Sequence, residues 1–219
     1  MKKENPSAYN FQFSGNEDSI RSYQIHLASI FNPGQRVLDL GCGNGYFLDL
    51  LKDRGVFGEG VDLNSSCVEA CRSKGHLVVQ AEAIDFLQRN DESYDAILSS
   101  HLIEHLNPES AKLLIELSVK LLKPNGTLLI ITPNTIDIKV ITETFWLDPT
   151  HVRPYPGQLI ASWMHGSGLG KIQVTVAKGT KLTRPSFRLP MQVLSYFKYK
   201  LIFGRHANTG DTLVIGTKF

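Results

Sequence analysis

Asp39, Gly41, Gly43, Gly45 and Asp62 are the residues whose types and spacing say most about chemistry. Alternating glycines remove the Cβ atoms that keep a ligand away from the backbone, and they permit positive φ. A dinucleotide turn follows G-x-G-x-x-G and rests a pyrophosphate on a helix N-terminus. Here the spacing is G-x-G-x-G, and Tyr46 takes the last position of that pattern. Asp39, just before the turn, would repel a pyrophosphate but suits a ligand carrying a cationic amino group and a sulfonium. Asp62 ends the next apolar run, where a carboxylate can hold both hydroxyls of a ribose.

A second group lies downstream. His101, Glu104 and His105 form H-x-x-E-H, which read alone is a zinc-protease signature. That motif belongs inside a long helix, whereas here it follows directly on a strand and two serines, so the protease reading is set aside. Phe145, Trp146, Asp148, His151, Arg153 and Tyr155 share one proline-stiffened stretch. Aromatic faces beside an acid, an imidazole and a guanidinium suit a sugar ring or a phosphorylated acceptor. The plainer alternative is a rigid loop in which Asp148 pairs with Arg153.

An alternating set of elements must position these side chains. Periodicity predicts a helix over 18–31 closed by Asn32-Pro33-Gly34, and strands near 35–40, 57–62, 76–80, 94–99 and 127–132. Helices fall between them at 44–54, 65–74, 83–88 and 108–122, with Asn64 as an N-cap and Pro108 in a first turn. Such alternation predicts a parallel sheet with helices on both faces. Residues 133–158, with Pro133, Pro149, Pro154 and Pro156, predict a long irregular crossover of the kind that is usually functional. A helix at 158–166, a strand at 169–177, an insertion at 179–209 with its own helix at 190–203, and a last strand at 212–217 complete the reading.

Val37 to Gly45 with Gly60-Val61-Asp62, and the stretch Leu122 to Pro133, resemble the class I S-adenosylmethionine (SAM) methyltransferases. The resemblance implies an α/β, Rossmann-like, seven-stranded and mostly parallel sheet with helices on both faces and a last antiparallel strand. It implies one domain over 1–219, with 133–158 as the active-site crossover and 179–209 as an insertion or lid. SAM is then expected on Asp39, Gly41, Gly43, Gly45, Asp62, Leu63, Glu82, Ala83 and Ser99. Glu82, or alternatively Asp85, would accept from the adenine amino group, and the following amide would meet a ring nitrogen.

The segment from His101 to His105 resembles the ubiquinone-pathway O-methyltransferases, whose corresponding loop ends in Glu-His and can carry a divalent cation. That resemblance implies Mg²⁺ or Mn²⁺ on Glu104, His105 and His101, although His101 stands where that group has glutamate. The other reading of Glu104 and His105 is a hydrogen-bonded pair capping the next helix. The run from Asp148 to Pro154 resembles bacterial methyltransferases associated with surface and storage polysaccharides. The expected activity is SAM-dependent O-methylation of a saccharide or glycan-linked hydroxyl, with His105, His151 and Glu104 as catalytic residues. An alcohol is a poor nucleophile until its proton leaves, so His105 and His151 are the candidate bases. A phenolic, quinone-precursor-like acceptor and a non-catalytic SAM-binding scaffold are the alternatives.

Composition bounds the partners. The 219 residues carry a net charge of +2, which hides an asymmetry. Residues 1–148 hold 13 Lys/Arg against 20 Asp/Glu, while 149–219 hold 10 Lys/Arg and the single acid Asp211. The basic third predicts an anionic or lipid-linked acceptor. The stretch 190–203, apolar and basic together, fits a lid helix, a contact between two copies of the chain, or peripheral contact with a membrane. No RNA-binding motif accompanies the charge, so nucleic acid is not expected. The polar N-terminus lacks an apolar signal core and the three cysteines suit reduced thiols, which together predict a cytoplasmic protein.

Overall fold

The computed structural model describes residues 24–177 and 210–219. After the end of helix α1, described over 24–28, the chain alternates. The order is β1 (Arg36–Leu40), α2 (Tyr46–Asp53), β2 (Phe57–Asp62), α3 (Ser65–Ser73), β3 (Leu77–Gln80), α4 (Ala83–Arg89), β4 (Tyr94–Ser100), α5 (Pro108–Leu121) and β5 (Leu122–Thr132). Then come α6 (Ile138–Thr142), α7 (Gly157–Gly166), β6 (Leu169–Val176) and β7 (Thr212–Lys218). One sheet contains all seven strands in the order β3-β2-β1-β4-β5-β7-β6. The first five are parallel, and β7 runs antiparallel between β5 and β6.

Local sequence explains the elements. α3 opens on Asn64, whose side chain accepts from the Ser66 amide, and α5 opens on Asn107, which accepts from Ser110 with Pro108 in the first turn. The central strands are apolar on both faces because helices cover both. On one face Leu38, Leu40, Ile97 and Ile130 pack with Leu87, Leu114, Ile115 and Ile160. On the other, Val37, Leu98, Leu129 and Ile131 pack with Phe31, Phe47, Leu51 and Val68.

At the amino ends of the strands, charged groups lock together. Arg36 bonds Glu59 at 3.0 Å and Glu92 at 2.6 Å, and its guanidinium lies 5.0 Å from the Tyr94 ring centroid. Asp95 accepts from the Arg36 amide and from Lys123, and the Tyr94 hydroxyl donates to Glu59.

Two expectations need correction. β5 starts at Leu122 rather than Thr127, because Leu122 already pairs with Tyr94 and the irregularity between Tyr94 and Ala96 absorbs Lys123 to Gly126 within the ladder. The crossover after β5 is not irregular throughout. Asp137 accepts from the Lys139 amide and starts α6, and a 3₁₀ turn covers Thr144–Leu147. The expected insertion at 179–209, with its basic residues and its helix at 190–203, lies outside the described residues. Among the described residues, no helix is long and apolar enough to cross a membrane.

Candidate functional site

Strand order reverses beside β1, where β2 and β3 lie to one side and β4 to the other. In open α/β sheets, ligands bind beyond the carboxyl ends of the strands at such a reversal. The loop leaving β1 is pinned there, with the Gly41 and Cys42 amides both donating to the Val61 carbonyl. Gly41, Gly43 and Gly45 have φ of 75°, 52° and 77°. A Cβ built on Gly43 would meet nothing within 4 Å, so the space in front of that residue is open.

Asp62 is set before any ligand arrives. One carboxylate oxygen accepts from the Gly43 amide and the other from the Asn64 amide, both at 2.8 Å. Asp39 sits deeper, at 3 % exposure. Burial, then the negative charges of Asp62 and Cys71, push its carboxyl up to about 8. The Ser99 hydroxyl is buried with no hydrogen-bond partner among the described residues. Leu63 is exposed at the rim, and Ala83 is buried at the start of α4. Glu82 is the N-cap of α4, where one of its oxygens accepts from the Ile84 and Asp85 amides.

The second cluster stands after β4 and β5. Past Ser100 the chain turns at His101, a non-glycine residue with φ of 52°. The following Leu102 side chain lies 3.6 Å from where a Cβ on Gly41 would stand, so this turn abuts the glycine loop. Residues Ile103–His105 form a 3₁₀ turn, not a long helix. Glu104 is fully buried. Its carboxylate meets His101 Nδ1 at 3.1 Å and accepts from the Thr132 hydroxyl at 3.2 Å, while its carbonyl accepts from the Val152 amide. His101 Nε2 lies 3.4 Å from Asp211.

The crossover supplies the other wall. The rings of Trp146, Phe145, His151 and His105 form a chain, with centroids 5.0, 4.4 and 4.7 Å apart in turn. His151 Nδ1 donates to the Phe145 carbonyl at 2.6 Å, which makes Nε2 the basic nitrogen of the neutral ring. Burial pushes the His105 imidazole down, with His151 adding to that effect and Glu104 opposing it. Asp148 pairs with Thr150 and stands 3.9 Å from His151 Nε2, rather than with Arg153, whose guanidinium lies over Tyr155. Burial acts to raise the Asp148 carboxyl, but the Thr150 hydroxyl and amide and the His151 charge outweigh it and hold the group below its ordinary range.

Glu104, His105 and His151 bring one ligand atom each within 4.8 Å of one another. His101 is turned instead toward Glu104 and Asp211. The helix-capping reading of Glu104 and His105 does not describe the arrangement, because Asn107 caps α5. Thr132, Thr150 and Asp211 are contributors that the sequence reading passed over. Thr132 ends β5, and Asp211 precedes an antiparallel strand that starts at the same edge, so their places at strand tips were the available signal.

Comparison with known proteins identifies the family and the fold. The profile of a family described as a methyltransferase domain matches residues 17–174. A tRNA (carboxymethyluridine(34)-5-O)-methyltransferase of Arabidopsis thaliana is 37 % identical over 98 residues, 44 % of this chain and 24 % of that protein. A ubiquinone biosynthesis O-methyltransferase of Coxiella burnetii is 29 % identical over 106 residues, 46 % of this chain and 44 % of that protein. The chain thus spans less than half the length of these curated relatives. A solved SAM-dependent methyltransferase from Archaeoglobus fulgidus superposes with a TM-score of 0.79 at 27 % identity, covering 96 % of this chain and 98 % of that one.

Proposed function

The chain belongs to the methyltransferase-domain family with the class I SAM-dependent fold, and from that premise we propose that it is a SAM-dependent O-methyltransferase. The observation that carries the proposal is the pair Gly43 and Asp62. The glycine leaves open space at the strand-order reversal, and the acid beside it is fixed by two backbone amides. The surroundings fit SAM. Asp39 and Asp62 are two neighbouring acids that suit a cationic ligand, and Ser99 holds a buried hydroxyl with no partner among the described residues. SAM supplies an electrophilic methyl group on a sulfonium. Asp62 holds the ribose, Asp39 faces the positive end, and Glu82 with Ala83 lies at the adenine side.

The cluster of Glu104, His105 and His151 is the acceptor side. His151 takes the hydroxyl proton on Nε2, with Asp148 as the nearby carboxylate, and His105 lines the same wall. Much of the acceleration comes from holding the acceptor oxygen in line with the methyl group. One carboxylate with two imidazoles would fit Mn²⁺ better than Mg²⁺, which prefers oxygen ligands, and with His151 Nε2 as a ligand the cation would stand in place of the histidine base, not beside it. Such a cation would lower the pKa of a bound hydroxyl.

We assign a saccharide or glycan-linked hydroxyl as acceptor. The exposed Trp146 and the aromatic chain behind it suit the apolar face of a sugar ring, and the basic third of the sequence suits an anionic group on it. A phenolic acceptor is the second reading, since the same aromatic chain can stack a planar ring. The test is methyl transfer from SAM across saccharides, sugar phosphates, phenols and tRNA, at several salt concentrations. Turnover on an anionic saccharide, with KM rising with ionic strength while SAM binding stays flat, supports the assignment. Turnover on tRNA or phenols alone overturns the saccharide reading, and SAM binding without turnover on any hydroxyl acceptor favours a scaffold. Full activity after thorough chelation removes the cation.

A further inference from the structure

All three cysteines of the chain are free and buried, and two of them converge on one atom of the cofactor loop. Cys71, on α3, donates its thiol to the Gly43 carbonyl at 3.2 Å. Cys42, inside the loop, points its thiol at the same oxygen from 3.9 Å. Each sulfur also occupies space that a neighbouring glycine leaves free. A Cβ on Gly45 would stand 2.8 Å from Cys71 Sγ, and a Cβ on Gly60 would stand 2.7 Å from Cys42 Sγ. The loop and the flanking strand are therefore built around this pair of sulfurs. The residue whose carbonyl they share is also the one whose amide holds Asp62 at 2.8 Å.

We propose that Cys42 and Cys71 form a reversible disulfide under hydroperoxide, and that this bond switches off SAM binding by moving the Gly43 peptide groups that support Asp62. The inference rests on SAM being the ligand of this loop, not on the identity of the acceptor. The chemistry balances with hydrogen peroxide as oxidant. One cysteine, as thiolate, attacks a peroxide oxygen; the O–O bond breaks, and the departing hydroxide takes up a proton to become water. The resulting sulfenic acid is attacked at sulfur by the second thiol, which loses its proton, and the S–O bond breaks to release a second water. Two thiols and one peroxide thus give one disulfide and two waters.

Local electrostatics help the first step. The neighbouring Cys42 thiol, and then the charge of Lys74, hold the Cys71 thiol below its ordinary range against the effect of burial. Cys67 lies one turn away on α3, where its thiol is pushed up to about 11 by burial and by the charges of Asp62 and Cys71.

Oxidation removes the Cys71 hydrogen bond to Gly43 and draws the two sulfurs together. Because both sulfurs sit against the Gly43 carbonyl, forming the bond moves that peptide group. The amide of Gly43 then loses its alignment on Asp62, and the ribose acid is no longer fixed.

The experiment uses S-adenosylhomocysteine as the probe, since it needs no acceptor. The purified protein is treated with hydrogen peroxide, quenched, digested without reduction and mapped by mass spectrometry, with affinity measured by calorimetry before and after. The expected result is a linked peptide containing Cys42 and Cys71 and an affinity loss of about tenfold or more, restored by dithiothreitol. Cys42→Ser should keep peroxide from changing affinity, and Cys67→Ala should leave the response intact. If Cys71→Ser does not fold, Cys42→Ser alone carries the comparison. Oxidation without a Cys42–Cys71 link, or a linked protein that binds the probe unchanged, overturns the proposal. A reduced protein that does not bind the probe refutes the cofactor assignment instead, so the two failures are told apart.

Discussion

The two ends of the sheet handle charge in opposite ways. At the amino edge, Arg36, Glu59, Glu92, Tyr94, Asp95 and Lys123 interlock. Burial acts to raise the Asp95 carboxyl, but the Arg36 amide and the Lys123 ammonium outweigh it and hold the group below its ordinary range. At the carboxyl edge, the buried Asp39 has Asp62 and Cys71 for charged neighbours, so its carboxyl rises instead. Ser99 keeps a buried hydroxyl without a partner among the described residues, and His101 holds a strained φ. The same fold thus pairs its charged groups at one edge and sets like charges side by side at the other.

Substitutions at the carboxyl edge should show the largest effects. His151→Ala should lower turnover about 100- to 10,000-fold, and His105→Ala should act in the same direction, as expected for loss of a base. Affinity for S-adenosylhomocysteine, read by calorimetry, should stay within about twofold in both. A variant that loses both together would mean that these histidines serve folding rather than the acceptor.

Asp62→Ala should weaken SAM binding about 10- to 150-fold, the equivalent of about 1.5–3 kcal/mol for a charged hydrogen bond. Unchanged affinity in that variant would move the ribose elsewhere and dissolve the contrast between the two edges.

The pH response follows from Asp39. Below a pKa of about 8 the empty protein holds a proton there that a cationic ligand must expel. SAM affinity should therefore rise with pH by at most about tenfold per unit, levelling off above about 8. Asp39→Asn should flatten that slope. The sign reverses for the stability of the ligand-free protein. The folded pKa lies above the unfolded one, so Asp39 contributes fully below about pH 4, and the contribution is lost as pH rises through about 8. Chemical denaturation with and without S-adenosylhomocysteine reads both trends.

The smallest effect belongs to the amino edge. Arg36→Ala leaves the largely buried Glu59 without its cation, which should lower stability by about 1–3 kcal/mol in urea unfolding and leave cofactor affinity alone. A fall in affinity there would show that the two edges are coupled.

The sequence by itself determined the sheet and the place of its glycine turn. Apolar runs with glycine-rich exits, Asn64 and Asn107 as caps, and Pro108 at a helix start are local signals, and each acts within a few residues of where it is written. Asp39, the three glycines and Asp62 were legible for the same reason, since they sit at the tips of consecutive strands that pair in parallel. The cluster of Glu104, His105 and His151 was legible only as two separate motifs. That Glu104 reaches His151 from across the crossover, that His101 turns to Asp211, and that Asp148 pairs with Thr150 instead of Arg153 were decided in three dimensions. The convergence of Cys42 and Cys71 on one carbonyl belongs to the same class. Residues far apart in the chain meet only once the sheet has closed. Which pairs form then depends on burial and on the packing of α3, the turn after β4 and the crossover against one another, which no periodicity in the chain encodes.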